Sequence, residues 1–554
     1  MRKWLKNHGI ELLVFALFIF AWSLRADVDG LPLTHPGNIK AADPMYHALA
    51  AQTIVDDEAY GRLAPYFAQG YTNMIDQSPP LNYLATAGVT KLTGLPVWVV
   101  MYLLVTFFEA AGVLILYLLC VKAFDSKMVG LLAAGLYVLP FGLSTWWYGM
   151  YIGLWNNIGG FFFFYASLYL ALSYWKEQKL WRIIALSVTI SGAWLIHVAE
   201  LFFAAFAIGF VVLAILWKVK PFKQKMVHAL ALGIIPLISV ILFYPRYHEL
   251  SAFLTAGSSS GAFLGWYYPL LSGLPFYSSL VVFPWWLLVL AAVGVVQLAL
   301  NWRKYLPIIT GYTYLVAHLF VLPWFLSAYY FFVRQRMALP FLIAPLVAYG
   351  LYYWLIRPVA SMTKLQEVLL SLVVIAAIVG LGWPEYAAVH EIKGQEHLSP
   401  ESYAPLVWIQ ENTPVDAEFV FVTGYYQMSG SFAKRVGFVF DIPDLPPALE
   451  EFVRNNGKVN LTLPFLGSNG DTEMGNNALD EGSFFKYGYG EKRRGQMSVL
   501  DFEYAVFKDF QLSDQPIVQA YNHNMISTLV QMGWAIVYNE QGIYILKKGD
   551  TDGS

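Results

Sequence analysis

The sequence predicts an α-helical polytopic membrane protein of about eleven transmembrane helices with a C-terminal extracytoplasmic α/β domain. Three observations predict it. The 554-residue chain is 58% hydrophobic and 13% charged, with a mean hydropathy of +0.51, whereas soluble domains carry roughly 25% charged residues. Several apolar runs exceed the roughly 18 residues needed to cross a bilayer. After residue 385 the composition becomes that of a soluble domain. A net charge of -2 offers nothing to nucleic acid. The one cysteine, Cys120, lies inside an apolar run, so an exported domain folds without a disulfide, which suits a prokaryotic envelope. The 17% aromatic content suits interfacial belts and a groove for sugars or lipids, and packing accounts for it equally.

Spans are predicted at 9–26, 96–119, 128–147, 152–174, 182–197, 200–217, 226–246, 278–300, 305–328, 337–356 and 365–384. The N-terminal run resembles a signal peptide but has no small-residue cleavage site in Ser23-Leu-Arg-Ala-Asp27, so it reads as a retained first span. Ile183 to Trp217 is too long for one crossing, and His197-Val-Ala-Glu200 divides it with a tight turn. With the N-terminus in the cytoplasm, every second connection is basic. The inside connections hold Arg2, Lys3 and Lys6; Lys122 and Lys127; Lys176, Lys179 and Arg182; Lys218 to Lys225; Arg303 and Lys304; Arg357 and Lys364. The turns near Tyr148 and His197 hold no Lys or Arg.

The expected organisation is a transmembrane domain, 1–385, with a large outer first loop, 26–95, and a soluble domain, 386–554. A second outer loop, 247–277, has a Ser258-Ser-Ser-Gly261 tip. In the last domain, Ser402 to Glu411 reads as an amphipathic helix and Glu418 to Thr423 as a strand. Met525 to Trp534 reads as a helix, and Ala535 to Tyr538 and Ile543 to Leu546 as strands around an Asn-Glu-Gln-Gly turn. Asn455 to Arg494, rich in Gly and Asn, reads as loops.

The candidate chemistry sits at the outer boundary. Asp43-Pro44 reads locally as a helix start, with Asp at the N-cap and Pro at the first helical position. Asp56, Asp57 and Glu58 offer hard oxygen ligands for Mg²⁺ or Mn²⁺, or else a solvated helix end. Glu109, within the second span, needs a partner such as Asn156 or Asn157, or a proton. His197 and Glu200 would share a face if one helical turn joined them. Arg334 and Arg336 stand at an outer span end, against the charge rule, where they hold phosphate or snorkel to headgroups.

These features together resemble the GT-C superfamily of integral-membrane glycosyltransferases, which use polyprenyl-phosphate-linked sugars. Asp43-Pro-Met-Tyr-His47 resembles the first-loop Asp motif of that superfamily. Asp76-Gln-Ser-Pro-Pro-Leu81 resembles the Pro-Pro-Leu segment of the protein-mannosyltransferase and aminoarabinose-transferase branch. Tyr403-Ala-Pro-Leu-Val-Trp-Ile-Gln-Glu-Asn-Thr-Pro414 is similar to the segment opening the soluble domain of archaeal oligosaccharyltransferases. The chain departs from that last family where a Trp-Trp-Asp-Tyr-Gly motif is expected, reading Thr423-Gly-Tyr-Tyr-Gln-Met-Ser429, and it lacks the outer-loop Thr-Ile-x-Glu.

The resemblance implies a hexosyl- or pentosyltransferase in the prokaryotic cytoplasmic membrane. It would move a sugar from a polyprenyl phosphate to a glycan, lipid or protein acceptor at the outer face. Asp43 would be the catalytic base. Asp76, His197, Glu200, Arg334 and Arg336 would bind substrate, with Arg334 where a late-span Arg contacts the donor in several members. Arginine charge at the leaving phosphate would make a metal unnecessary, so no cofactor is expected to be required, with a divalent cation, Mg²⁺ or Mn²⁺, as the alternative. The alternatives are an oligosaccharyltransferase-like enzyme using a lipid-linked oligosaccharide, and a non-enzymatic transporter or flippase. The absence of repeated halves speaks against the latter.

Overall fold

The computed structural model describes residues 2–26, 33–36, 42–58, 63–64, 74–75, 80–138, 155–197, 199–257, 285–317, 338–358, 363–392, 399–423, 433, 435–439, 445–463, 497–508 and 516–549. The helices of the first part are α1 (Arg2–Ala26), α2 (Ala42–Asp57), α3 (Leu81–Thr93), α4 (Val97–Ala110), α5 (Gly112–Phe124) and α6 (Lys127–Leu136). They continue as α7 (Trp155–Lys176), α8 (Leu180–Ile196), α9 (Ala199–Lys218), α10 (Phe222–Gly257), α11 (Trp285–Leu300), α12 (Trp302–Val316), α13 (Leu339–Leu351, extended by a π turn Tyr352–Ile356) and α14 (Lys364–Ile392).

A helix overlaps each of the eleven predicted segments, α4 and α5 sharing one of them. Among the described residues, six helical stretches are long and apolar enough to cross a membrane: His8–Ala26, Val97–Phe124, Trp155–Lys176, Phe222–Leu242, Leu339–Ile356 and Lys364–Pro384. The chain is an integral membrane protein. α14 runs on to Ile392, through the expected domain boundary at 385. α10 extends to Gly257, so the second outer loop begins inside a helix, and its Ser258–Gly261 tip lies outside the described residues.

Helix ends follow local chemistry. Pro96, with no N–H to satisfy, precedes α4, and Asp125 in the left-handed conformation (φ 54°) closes α5. Ser126 then accepts from the Val129 N–H to start α6. Between α11 and α13 the backbones touch, because a Cβ on Gly294 would collide with the Leu346 carbonyl. This lets two apolar helices pack at minimal separation.

One end of the bundle is stapled by ion pairs. Glu177 takes Lys122 at 2.6 Å, Arg182 at 2.8 Å and Lys179 at 3.0 Å, while Asp125 takes Lys176 at 2.9 Å and Glu11 takes Lys127 at 2.5 Å. The Glu177 and Asp125 pairs join the α5–α6 turn to the α7–α8 turn, and the Glu11 pair ties α1 to the start of α6. The Glu177 carboxyl is held down to about 2, first by the Lys122 hydrogen bond and then by Lys179 and Arg182.

Glu109 corrects an expectation. Its partner is neither Asn156 nor Asn157 but Arg25, at the far end of α1. Arg25 is 1% exposed and also donates to the carbonyls of Val138 (2.7 Å), Tyr137 (2.9 Å) and Ala21 (3.1 Å). A guanidinium can serve a carboxylate and several carbonyls at once, which an amide cannot. The arrangement ties α1, α4 and the end of α6 together.

The last domain holds a five-stranded mixed sheet in the order β4-β3-β7-β9-β8. Its strands are β3 (Glu418–Thr423), β4 (Val436–Val439), β7 (Tyr504–Lys508), β8 (Ala535–Glu540) and β9 (Ile543–Lys547). Two short pairs lie outside it: β1 (Leu63–Ala64) with β2 (Met74–Ile75), and β5 (Thr462–Leu463) with β6 (Met497–Ser498). β3 runs parallel to β4 and β7, whereas β9 is antiparallel to β7 and β8. Alternate residues face opposite sides. Phe419 and Phe421 pack with Leu406 and Ile409 of α15 (Pro400–Asn412). Val420 and Val422 join Met525 and Leu529 of α17 (Pro516–Gln531) and Phe452 of α16 (Leu445–Arg454).

The expected strand at 418–423 and the hairpin at 535–546 are present, and Gln541 and Gly542, both at positive φ, make its turn. α17 starts at Pro516 and ends before Trp534, so the predicted helix 525–534 is displaced and too short. Within the predicted loop 455–494, residues 462–463 form β5, and 464–494 lie outside the described residues. Tyr403 of α15 meets Trp98 of α4, ring centroids 5.8 Å apart, and so seats the domain on the helical bundle.

Candidate active site

The end of the bundle opposite the ion-pair staple carries a buried polar network. α2 and α3 pack as a hairpin against α4 through Ala48, Leu49, Ala51 and Tyr83, and α3 also meets α8. α7 begins there with Trp155-Asn156-Asn157, and α8 ends there at His197. The network runs from α3 through α7 to α2. Asn82 Nδ2 donates to Asn156 Oδ1 at 2.8 Å, Asn156 Nδ2 donates to the Tyr83 hydroxyl at 3.2 Å, and that hydroxyl lies 2.7 Å from His47 Nδ1. On the adjoining side, Asn157 Nδ2 lies 3.1 Å from His197 Nδ1. The Asn157 amide therefore faces the imidazole of His197 directly.

Burial, and then the neighbouring His197, push the His47 pKa down to about 3, which keeps its imidazole neutral at physiological pH. The 2.7 Å contact suits a phenol O–H donated to an unprotonated nitrogen. Asn82, Tyr83, Asn156 and Asn157 are buried, whereas His47 and His197 are partly exposed. Asn82 Oδ1 and Thr86 Oγ1, one turn apart on α3, are buried without a hydrogen-bond partner. Such atoms are uncommon and mark places that a water or a ligand hydroxyl satisfies.

Asp43 is the second residue of α2. It lies within the first turn rather than at the flanking cap position, and positions 43 and 47 share a helix face. His197 has extended backbone (φ -157°, ψ 127°) and caps α8, while Glu200 is the second residue of α9. The two are therefore not a helical i, i+3 pair, because His197 has extended backbone outside both helices. Asp76, Arg334 and Arg336 lie outside the described residues.

Two members of the acidic run at the end of α2 have separate partners. Asp56 accepts from Gln52 Nε2 at 2.9 Å, and Glu58, at φ 55°, pairs with Lys91 at 3.2 Å. Among the described residues no three His, Cys, Asp or Glu side chains group as metal ligands.

The sequence marks His47 only within the Asp43 motif, and nothing in it singles out Asn82 and Tyr83. The signal available was a cluster of Asn and Tyr at the starts of apolar runs, with nothing to pair residues 36 to 74 positions apart.

No family model matches the chain, and no curated protein matches it. Solved structures do. The archaeal oligosaccharyltransferase AglB from Archaeoglobus fulgidus, in complex with an inhibitory peptide and a dolichol-phosphate, superposes with a TM-score of 0.50 at 13% identity, over 100% of this chain and 75% of that one. The apo form of the Archaeoglobus fulgidus oligosaccharyltransferase gives 0.53 at 12% identity, over 99% and 75%. Apo ArnT from Cupriavidus metallidurans gives 0.51 at 12% identity, over 98% of each chain. The fold is that of the GT-C membrane glycosyltransferases.

Proposed function

We propose that the chain is a membrane glycosyltransferase that moves a sugar from a polyprenyl-phosphate-linked donor to an acceptor at the outer face. The observation that carries this is a polar network that includes the helix bearing Asp43, within a GT-C fold. Hydroxyl-rich substrates suit such a network, because each of its groups can pair with a sugar hydroxyl or a water.

In the reaction the acceptor oxygen attacks the anomeric carbon. The new bond to that carbon forms as the bond to the lipid phosphate breaks. Asp43 takes the acceptor's proton, and the lipid phosphate leaves with its electron pair. Arg334 or Arg336 neutralises the developing phosphate charge. Asp76, His197 and Glu200 are assigned to substrate binding. The soluble domain, seated on α4 through Tyr403, shapes access for the acceptor.

Transfer of a single sugar is favoured over oligosaccharide transfer by the missing Trp-Trp-Asp-Tyr-Gly motif at 423–429. The test is to incubate purified protein with radiolabelled polyprenyl-phosphate monosaccharides and with a lipid-linked oligosaccharide. Consumption of a monosaccharide donor is expected. Consumption of the oligosaccharide alone would move the assignment to the oligosaccharyltransferase type, and turnover of neither would remove the enzymatic reading.

A further inference from the structure

A second feature lies at the stapled end of the bundle. A cavity of about 550 Å³ opens among α5, α7, α9, α11, α12 and α13. Its size is within the range of ligand pockets, roughly 300–1,000 Å³. Cys120 and Phe124, Ala171, Phe210 and Val295 line it, and Trp302 stands at its basic end. A water needs two to four polar partners, which this lining does not supply. Val295 and Trp302 are about half exposed (50% and 52%), so the cavity communicates with the hydrocarbon around the bundle.

Cations stand at the same end. The Arg303 guanidinium lies 5.7 Å from the Trp302 ring, and Lys304 Nζ lies 5.0 Å from the Tyr305 ring. Tyr305 packs against Phe124 of the cavity wall, centroids 5.9 Å apart. Arg357 lies over Tyr353, which packs on Tyr349, itself stacked on Phe124. Of the nearby acids, Asp125 pairs with Lys176 and also attracts Lys304, which bonds to the Tyr305 hydroxyl, and Glu177 pairs with Lys122 and Arg182.

We propose that this cavity holds one acyl chain of an anionic phospholipid from the leaflet at the basic end, with its phosphate on Arg303 and Lys304. An apolar slot opening laterally to lipid beneath paired cations matches a phosphodiester headgroup carrying a hydrocarbon tail. The polyprenyl donor is a poorer occupant. Its phosphate has to reach the His47–Asn157 network across the thickness of the bundle, so its charge would not meet these cations.

The test uses the full chain, purified in mild detergent, delipidated, and titrated with phosphatidylglycerol or phosphatidylcholine under native mass spectrometry. Two variants accompany it. Arg303→Gln with Lys304→Gln removes the charge. Gly311→Leu fills the cavity, since a Cβ at Gly311 meets nothing nearer than Phe210 Cε2 at 3.7 Å. The wild type should retain one phosphatidylglycerol about tenfold or more in preference to phosphatidylcholine, the double variant should lose the preference, and the filled variant should lose retention. Equal retention of both lipids, retention unchanged in the variants, no retained lipid, or displacement of phosphatidylglycerol by equimolar polyprenyl phosphate would each overturn the proposal. None of these outcomes depends on whether sugar transfer is observed.

Discussion

Removing Arg25 alone should cost more than removing Arg25 and Glu109 together. The guanidinium is 1% exposed and ties the carboxylate of α4 to carbonyls at the end of α6. Breaking a buried pair by deleting one partner typically costs about 3–5 kcal/mol, because the other charge stays buried and uncompensated. Arg25→Met adds to this the loss of donors to the Tyr137 and Val138 carbonyls, about 1.5–3 kcal/mol for each charged hydrogen bond. Arg25→Met with Glu109→Leu keeps that second loss but removes the stranded carboxylate. The double variant should therefore be more stable than Arg25→Met, by an amount approaching the first figure. Cys120 supplies the assay. It is the only cysteine and is buried, so a thiol-reactive dye reports unfolding on heating. Arg25→Met and the double variant melting together would refute the reasoning, as would Glu109→Leu melting with the wild type.

Asp43→Asn should keep near-normal thermal stability while turnover falls about 10²–10⁴-fold, since an amide replaces a carboxylate at a helix start but not as a base; near-normal turnover would exclude Asp43 as the base. Arg334→Gln or Arg336→Gln should weaken binding of the polyprenyl-phosphate donor, measured by equilibrium binding, with the melting temperature unchanged. The Glu177 staple should stabilise the fold above the ordinary carboxylate range and be lost as pH falls toward about 2, because its folded pKa is depressed; the acid-side fall in melting temperature should be shallower in Glu177→Gln. A reporter active only in the cytoplasm, fused after Ser554, should be silent, as the alternation of basic connections requires; activity there would reverse the assigned orientation.

Much of the architecture was legible locally. Apolar runs punctuated by basic connections located the helices, because crossing a bilayer imposes length and composition on each segment separately. The strand at 418–423 and the hairpin turn at Gln541-Gly542 were readable from alternation and turn chemistry. α17 was misplaced because Pro516 to Asn524 is mixed in polarity and shows its helical face only once Val518 and Tyr521 are buried. What the tertiary structure alone decided were the polar partnerships. Glu109 finds Arg25 rather than the nearer-seeming asparagines, His47 finds Tyr83, and His197 finds Asn157. Helix and strand periodicities reach only a few residues along the chain. A buried polar group takes whichever partner the packing of whole helices brings within about 3 Å, and no spacing in the sequence encodes that choice.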